Sequence, residues 1–286
     1  MIIVKLVGGL GNQMFQYAAA RRLARKHGTV LMLDLSEFKR YKLRRYELGG
    51  FNISVGTASA KDFFALRVSP AAWYRKLYKL AGIFGLNLNP RYVVEKYLPG
   101  FDPNFLNLSD NVYLAEGHWS NYKYFADAEE TIRKEFVPGK IGAATQKIAN
   151  DIGRSNAAFI HIRRGDVVVN GDATETEYYG RAIAFIKERI KEPKFFVFSD
   201  DAEWVRKNIN FNAPTEFVSS TPGISICEEI YLMGLCSACI LSNYSTFGWW
   251  GAFLGNKEKT WIISQKKGAG FDHVEAAPEG TKIFRI

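Results

Sequence analysis

The segment Ala158-Phe159-Ile160-His161-Ile162-Arg163-Arg164-Gly165-Asp166 joins a short apolar run to two arginines, a glycine and an aspartate. The apolar run predicts a buried strand over residues 158–162. Two adjacent arginines at the end of a buried strand are costly unless they are paired, and guanidinium groups match phosphate oxygens through two parallel hydrogen bonds. The segment therefore predicts a phosphate-binding loop at the carboxyl end of a strand.

Short apolar runs alternate with longer amphipathic stretches on both sides of this loop. The alternation is typical of βα units, so it predicts an α/β fold with parallel sheets. Strands are predicted at residues 2–7, 29–34, 112–115, 158–162, 195–198, 239–241 and 261–263. The clearest helices are predicted at residues 13–27, 178–190, 202–208 and 226–235, the last one opening with the capping-box pattern Ser225-Ile226-Cys227-Glu228.

The length of 286 residues favours two domains, because single cores rarely grow beyond about 250 residues. A weak point at Pro138-Gly139-Lys140-Ile141-Gly142 precedes a polar helix and then the strand that leads to His161. The pattern places the junction near residue 153 and predicts domains over residues 1–153 and 154–286. Between residues 51 and 103, aromatic-rich helical segments broken by proline and glycine predict a binding surface.

The charge is unbalanced: 38 Lys and Arg face 29 Asp and Glu, a formal net charge of +9. A positive field attracts phosphate, nucleic acid or an anionic membrane surface. Much of the excess lies in residues 39–45 and at Arg75, Lys76 and Lys79, where aromatic residues interleave with basic ones. Interleaving can bind single-stranded nucleic acid. Because no nucleic-acid motif accompanies it, a solvated basic face near a membrane or an acidic cell-surface precursor is favoured.

The sequence shows no signal-peptide pattern and no apolar stretch long enough to span a bilayer. Its three cysteines give no disulfide framework, and Cys236-Ser237-Ala238-Cys239 lacks the second pair of a zinc site, so buried inert thiols are favoured. We expect a cytoplasmic protein, with peripheral contact at the inner face of the membrane left open.

Nearly every chemically loaded segment follows a predicted strand. The segments are residues 8–13, 116–121, 163–166, 199–201 and 243–247. Because ligands of open α/β sheets bind at the carboxyl ends of the strands, these segments predict the binding site.

The stretch Gly8-Gly9-Leu10-Gly11-Asn12-Gln13 places three glycines between a strand and a helix. It is either a tight structural turn or a segment that lets a ligand approach a helix N-terminus closely, and its spacing is not the dinucleotide pattern G-x-G-x-x-G.

The role of His161 also has two interpretations. A histidine that faces inward from a strand and fixes neighbouring backbone is favoured over a catalytic group.

Two later strand ends carry polar groups. After the strand ending at residue 198, Asp200 is the better ligand candidate, whereas Asp201 fits a helix cap or a ligand role. The run Ser242-Asn243-Tyr244-Ser245-Thr246-Phe247-Gly248-Trp249-Trp250-Gly251 offers hydroxyl and N–H groups at a helix N-terminus, a second phosphate cradle. Trp249 and Trp250 are interpreted as packing residues.

Together these motifs resemble the α-1,2-fucosyltransferases of glycosyltransferase family 11, almost from end to end. The stretches that carry the resemblance are residues 8–17, Glu116-Gly117-His118-Trp119 with residues 122–125, His161-Ile162-Arg163-Arg164-Gly165-Asp166, Phe198-Ser199-Asp200-Asp201, residues 230–233 and Ser245-Thr246-Phe247-Gly248.

The resemblance implies a GT-B arrangement of two Rossmann-like domains that face each other across a cleft, the first on the acceptor side and the second binding the donor. It implies transfer of L-fucose, with inversion, from the co-substrate GDP-β-L-fucose. The implied acceptor is the 2-hydroxyl of galactose in an oligosaccharide or lipid-linked glycan. Another linkage or acceptor for a GDP-sugar, and a nucleic-acid-binding protein without activity, are the alternatives.

The same resemblance implies roles for individual residues. It places Arg163 on the β-phosphate. We expect Arg163, Asp166 and His161 as the catalytic set, with Asp166, two residues past Arg164, placed to orient one of the arginines. The implied donor-binding residues are Gly11, Asn12, Arg163, Asp200 (on guanine), Ser245, Thr246 and Phe247. The implied acceptor-binding residues are Glu116, His118 and Trp119. Candidates for the base that deprotonates the acceptor are Asp166, Glu116 and His118.

No Asp-x-Asp occurs in the chain, which removes the usual carboxylate seat for a nucleotide-bound divalent ion. We therefore expect cationic side chains in its place, no metal and no cofactor beyond the co-substrate.

Overall fold

The computed structural model describes residues 1–39, 44–84, 86, 88–96, 100–165, 168, 173–255, 261–265 and 271–286. The chain divides into two compact units, Met1–Phe136 and Val137–Ile286, called here the first and second units. Each unit is built on a parallel β-sheet, as the alternating pattern predicts. No helix within the described ranges combines the length and apolar character needed to cross a membrane.

The first unit contains a five-stranded sheet. Its strands are β1 (Ile2–Lys5), β2 (Leu31–Asp34), β3 (Gly56–Thr57), β4 (Tyr92–Val94) and β5 (Val112–Glu116). Its α-helices are α1 (Leu10–Lys26), α2 (Ala60–Leu66), α3 (Ala72–Ile83) and α4 (Glu129–Glu135), and 3-10 turns lie at Ser36–Lys39, Leu48–Gly50, Pro103–Asn107, Tyr122–Tyr124 and Ala126–Ala128. The strand order is β3-β2-β1-β5-β4, so β1 and β5 are neighbours at the centre.

Helix α1 is the main packing partner of this sheet. Its alanine-rich sequence favours helix formation, and Arg25 with Lys26 in the last turn complements the helix dipole. Arg22 reaches out of the buried part of the helix to Asp127, with Nη2 and Oδ2 2.8 Å apart. The pairing allows a charged side chain to lie largely buried.

The second unit contains a six-stranded sheet. Its strands are β6 (Asn156–Ile162), β7 (Pro193–Ser199), β8 (Thr215–Phe217), β9 (Ala238–Leu241), β10 (Trp261–Ser264) and β11 (Ile283–Arg285). Its helices are α5 (Ala143–Gly153), α6 (Thr176–Arg189), α7 (Ala202–Asn208), α8 (Ile226–Leu235) and α9 (Thr246–Leu254). The spatial order β8-β7-β6-β9-β10-β11 corresponds to 3-2-1-4-5-6 in chain order, the order of nucleotide-binding doubly wound sheets.

Helix α5 belongs to the second unit. Ile148 and Ile152 lie in the same apolar cluster as Leu232 of α8. Glu228 accepts hydrogen bonds from the Gly142 amide at 2.7 Å and from the Thr145 hydroxyl at 2.8 Å. The division after Phe136 thus precedes α5, whereas the junction expected near residue 153 would follow it. The expected junction lies too late in the chain because α5, although mostly polar in sequence, packs an apolar face against the second unit.

Candidate functional site

The second sheet has a switch point between β6 and β9, because the strands on either side of this pair continue outward in opposite directions. Ligands of such sheets bind beyond the carboxyl ends of the strands at this point. His161 near the end of β6 pairs with Leu241 at the end of β9. The loops that begin at Arg163 and Ser242 therefore leave the sheet side by side.

Arg163 connects these two loops. Its amide donates to Ser242 Oγ at 3.3 Å, and its guanidinium Nη1 donates to the carbonyl oxygen of Tyr244 at 3.4 Å. Tyr244 has a φ of +57°, a left-handed conformation that costs energy for a residue with a side chain and is concentrated at functional turns. The guanidinium thus lies beside the turn that leads into the N-terminus of α9.

Arg164 is held on the other side of the loop. Its guanidinium carbon lies 3.6 Å from the ring centre of Trp204, and its Nε lies 3.6 Å from Asp201 Oδ2. Asp201 in turn is the N-cap of α7 and accepts from the Trp204 amide at 3.0 Å, so the predicted helix cap is confirmed. These contacts fix Arg164 against α7, and they leave Arg163 as the arginine at the switch point.

Asp200 anchors the backbone of the arginine loop. Its carboxylate accepts from the amides of Arg164 at 2.8 Å and Gly165 at 3.0 Å. An ionised carboxylate has about four acceptor positions, so these two bonds leave room for a further donor. The positioning of this loop is a role for Asp200 that the sequence does not reveal.

Ser245 caps helix α9 and binds His161. Its Oγ accepts from the Gly248 amide at 2.9 Å and lies 2.9 Å from His161 Nδ1. Burial, with the nearby charge of Arg163, lowers the pKa of His161 to about 3. The geometry is that of a neutral histidine that orients the α9 turn.

His273 holds the same turn from the C-terminal segment. Its Nε2 lies 3.3 Å from the carbonyl oxygen of Ser245, and its Nδ1 lies 3.0 Å from Ser264 Oγ. Burial lowers the pKa of His273 to about 4, so this imidazole is neutral as well. Sequence reasoning missed His273, because it follows no predicted strand directly.

The residues that open α9 differ in solvent exposure. Ser245 is buried, while Thr246 and Phe247 are partly exposed, and the Phe247 ring centre lies 5.4 Å from that of His161. Trp249 and Trp250 are buried as predicted for packing residues. The three cysteines are buried thiols, also as predicted.

The first unit has a corresponding switch point between β1 and β5. Gln16 of α1 bridges the two loops there: its Oε1 accepts from the Val7 amide at 2.9 Å, and its Nε2 donates to the Gly117 carbonyl at 3.0 Å. The structure therefore brings the glycine loop and the loop at residues 116–119 together. Gln16 is buried, and sequence reasoning did not single it out as a site residue.

The glycine loop is sterically tight. Gly8 has a φ of +77°, and a Cβ at this position would lie 2.7 Å from Asn12 Nδ2. Gly9 is the N-cap of α1, which places Gly11 and Asn12 in the first helical turn. A Cβ on Gly9 would lie 3.7 Å from Arg44 Nη1. A guanidinium thus borders this helix N-terminus.

Glu95 organises the loop after β5. Its Oε2 accepts from the His118 amide at 2.7 Å, and its carboxylate accepts from the Trp119 amide at 3.1 Å. Burial raises the pKa of Glu95 despite these bonds. Trp119 has a φ of +47°, and its side chain is 1% exposed. The indole packs against Phe105, so the structure gives it a packing role.

The two other expected acceptor residues differ in environment. Glu116 pairs with Arg75 Nε and Lys79 Nζ, each at 3.0 Å. Burial lowers the pKa of His118, so its imidazole is neutral at pH 7. Asp166 and residues 40–43 of the basic segment lie outside the described residues.

A 3-2-1-4-5-6 sheet with an arginine and a helix N-terminus at its switch point is typical of a nucleotide-binding unit. The chain matches glycosyl transferase family 11 over residues 94–279. It is 31% identical over 272 residues to an alpha-1,2-colitosyltransferase of Escherichia coli, covering 90% of this chain and 88% of that one. It is 33% identical over 291 residues to the O-antigen biosynthesis glycosyltransferase WbnK of Escherichia coli, covering 92% and 93%.

The fold is similar to that of the Escherichia coli ADP-heptose lipopolysaccharide heptosyltransferase II, with a TM-score of 0.51, 11% identity, and coverage of 100% of this chain and 90% of that one. The expected α/β class with two Rossmann-like units of the GT-B type is confirmed. The chain belongs to glycosyl transferase family 11 and is a glycosyltransferase.

Proposed function

We propose that this enzyme transfers L-fucose from GDP-β-L-fucose to the 2-hydroxyl of a galactose unit in a glycan, with inversion at the anomeric carbon. The observation that carries the proposal is the position of Arg163. It lies at the switch point of the nucleotide-type sheet, with its guanidinium 3.4 Å from the carbonyl of the Tyr244 turn that opens α9. The family membership and the motif pattern of the sequence support the choice of donor.

The reaction is a single displacement. The 2-oxygen of galactose forms a bond to the anomeric carbon of fucose while the bond from that carbon to the diphosphate oxygen breaks. The departing electron pair adds negative charge to the β-phosphate of GDP, and the acceptor proton passes to a base. Arg163 and the positive end of the α9 dipole stabilise the charge on the diphosphate.

The remaining donor contacts follow the motif pattern. Asp200 binds guanine through acceptor positions not used by the Arg164 and Gly165 amides. Thr246 and Phe247, with the turn capped by Ser245, line the phosphates. Gly11 and Asn12 approach the transferred sugar. In this scheme His161 contributes to catalysis by orienting Ser245 rather than by exchanging a proton.

Among the three candidate bases, we propose His118 as the group that takes up the acceptor proton. Its lowered pKa keeps an imidazole nitrogen available as a proton acceptor at pH 7. Glu116, in contrast, is held in ion pairs with Arg75 and Lys79. We therefore place His118 and Glu116 on the acceptor side, with Trp119 as a packing support.

Calorimetry with GDP is the decisive binding experiment. We expect a dissociation constant in the micromolar range for the wild type; one weaker than millimolar would exclude this donor class. Incubation with GDP-fucose and a lactose-type acceptor, followed by mass and NMR analysis, should give one added fucose with an α-1,2 linkage. Binding of GDP without this product would retain the donor site and reject the acceptor or linkage.

Transfer of colitose is a second candidate, favoured by the similarity to the colitosyltransferase. Colitose is the 3-deoxy form of L-fucose, so the two donors differ by one hydroxyl. A site that hydrogen-bonds this hydroxyl discriminates against the deoxy donor by about 10⁴ or more. A site that makes no such hydrogen bond discriminates only weakly between the two donors. The ratio of kcat/KM for GDP-fucose and GDP-colitose therefore separates the two functions.

A further inference from the structure

Helix α3 carries apolar residues both on the side that packs against the sheet and on a side that is exposed to solvent. Tyr74 and Tyr78 point to the sheet, where their ring centres lie 5.3 and 4.6 Å from that of Tyr92. On the adjacent face, exposed apolar residues recur at a spacing of three or four residues: Trp73, Leu77, Leu80 and Phe84. Trp73 is 63% exposed and Phe84 is 72% exposed, so large side chains project away from the unit.

The exposed surface continues from α3 onto α2. Phe64 of α2 is 86% exposed, and it lines a shallow depression together with Arg67 and Trp73. We call Phe64, Trp73, Leu77, Leu80 and Phe84 the α2–α3 surface. Contiguous exposed apolar residues of this kind mark interaction sites in soluble proteins.

Cationic side chains surround the α2–α3 surface. Lys61, Arg67, Lys76 and Arg91 are exposed, and Arg75 and Lys79 remain about half exposed while they pair with Glu116. The whole first unit contains 20 Lys and Arg against 12 Asp and Glu, so it carries +8 of the net charge of +9. The charge imbalance of the chain therefore resides in the unit that bears the exposed apolar face.

We propose that the α2–α3 surface binds the plane of an anionic lipid bilayer. A helix with Trp, Leu and Phe on one side and Lys and Arg along its flanks lies in the membrane interface, with the apolar side chains among the acyl chains. The basic flanks are attracted to anionic headgroups. Tryptophan favours this depth because its ring is both apolar and polar.

The charge distribution favours a lipid surface over a second copy of the chain. A symmetric dimer through this face would bring two positive rims together, and like charges in juxtaposition are unfavourable. Lysine is also depleted at protein interfaces, whereas Lys76 and Lys79 lie among the exposed apolar residues of α3. Lipid binding does not depend on the proposed sugar transfer.

Vesicle flotation tests the proposal with the full chain and without sugar substrates. We expect wild-type protein to float with vesicles of phosphatidylcholine and phosphatidylglycerol, and much less with phosphatidylcholine alone or at high salt. Each of Trp73→Ser and Leu77→Ser should lower the partition coefficient roughly tenfold. Lys76→Glu should lower it at least about fivefold.

Matched substitutions elsewhere serve as controls. Val30 is an exposed apolar residue of the first unit, and Lys147 is an exposed lysine of α5. Val30→Ser and Lys147→Glu should float as the wild type does, and all variants should retain GDP affinity as a measure of folding.

Three results would overturn the proposal: no flotation of the wild type with anionic vesicles, equal flotation with neutral vesicles, or flotation of Trp73→Ser and Leu77→Ser equal to that of the wild type. A dimer in light scattering that Leu77→Ser dissociates would instead assign the surface to a second copy. Loss of flotation with intact GDP binding separates this surface from the donor site.

Discussion

The amide of Gly165 donates to Asp200 Oδ2 at 3.0 Å, and a Cβ on Gly165 would lie 2.9 Å from the same oxygen. A side chain at this position would therefore displace the carboxylate that closes the arginine loop. Moving Asp200 away from an added methyl group lengthens this charge-assisted hydrogen bond. Glycine is present here for close approach rather than for a special φ angle.

Gly165→Ala should weaken GDP binding about tenfold, because the loop that carries Arg163 loses one of its two anchors on Asp200. Calorimetry measures this change. Gly180→Ala is the matched control: Gly180 lies in α6, and a Cβ there meets nothing within 4 Å. It should leave GDP binding unchanged and stabilise the protein by about 1 kcal/mol. Equal affinities for both variants would contradict the anchoring role.

The central strands and the longer helices could be predicted from the sequence because their apolar periodicity is strong. Helices α7 and α8 have the predicted bounds, and the capping box of Ser225 and Glu228 forms as expected. The four strands that were not predicted, β3, β4, β8 and β11, are the sheet edges and have two or three residues each. So short a segment carries no period, and its pairing depends on the neighbouring strand.

The site could be predicted only as far as the residues at strand ends. Arg163 and Ser245 follow the two predicted strands at the switch point, and Asp200 follows the strand beside them and bonds to the arginine loop. Glu95, by contrast, follows the unpredicted strand β4, and Gln16 lies inside a helix. Both act through hydrogen bonds to backbone groups of distant loops. Such contacts depend on tertiary packing, which leaves no local pattern.

Arg163→Ala should lower kcat by about 10²–10³, because one preorganised donor to a developing charge is worth about 2.7–4 kcal/mol. The kcat of Arg163→Lys should lie between those of the wild type and Arg163→Ala, since lysine keeps the charge but not the planar fork of the guanidinium. Steady-state kinetics with saturating donor test this, with Arg181→Ala of the exposed face of α6 as control. Activity of Arg163→Ala within threefold of the wild type would remove Arg163 from the role.

Glu95→Gln should raise the KM for the acceptor roughly tenfold, because one of the two amides of His118 and Trp119 loses its acceptor oxygen. The affinity for GDP should stay unchanged, since Glu95 acts on the loop after β5. Glu130→Gln is the control, because Glu130 is exposed on α4. If GDP affinity and acceptor KM changed together, Glu95 would be a general structural residue rather than one that positions the acceptor loop.

Turnover should be undiminished in EDTA, because the chain has no Asp-x-Asp to hold a nucleotide-bound ion and Arg163 supplies positive charge at the diphosphate. The measurement compares initial rates after prolonged treatment with EDTA and after re-addition of Mg²⁺ or Mn²⁺. A rate that falls on chelation and returns with either ion would show that a divalent ion shares the neutralisation of the leaving group.

Acid should destabilise the protein through the two histidines that hold Ser245. Burial lowers the pKa of His161 to about 3 and that of His273 to about 4, while an unfolded histidine titrates near about 6.5. Between these values the unfolded chain binds more protons than the folded one. The free energy of unfolding therefore decreases by about 1.4 kcal/mol for each histidine for every unit by which the pH is lowered. His273→Gln removes one such contribution. Urea denaturation at pH 6 and pH 5 should therefore show that the difference in free energy of unfolding between wild type and variant shrinks by about 1.4 kcal/mol as the pH falls.

Comparing wild type with variant cancels the contribution of Glu229, which is common to both. Burial raises the pKa of Glu229 to about 7, and its protonation changes the stability in the opposite direction. A gap independent of pH would mean that His273 is not held neutral.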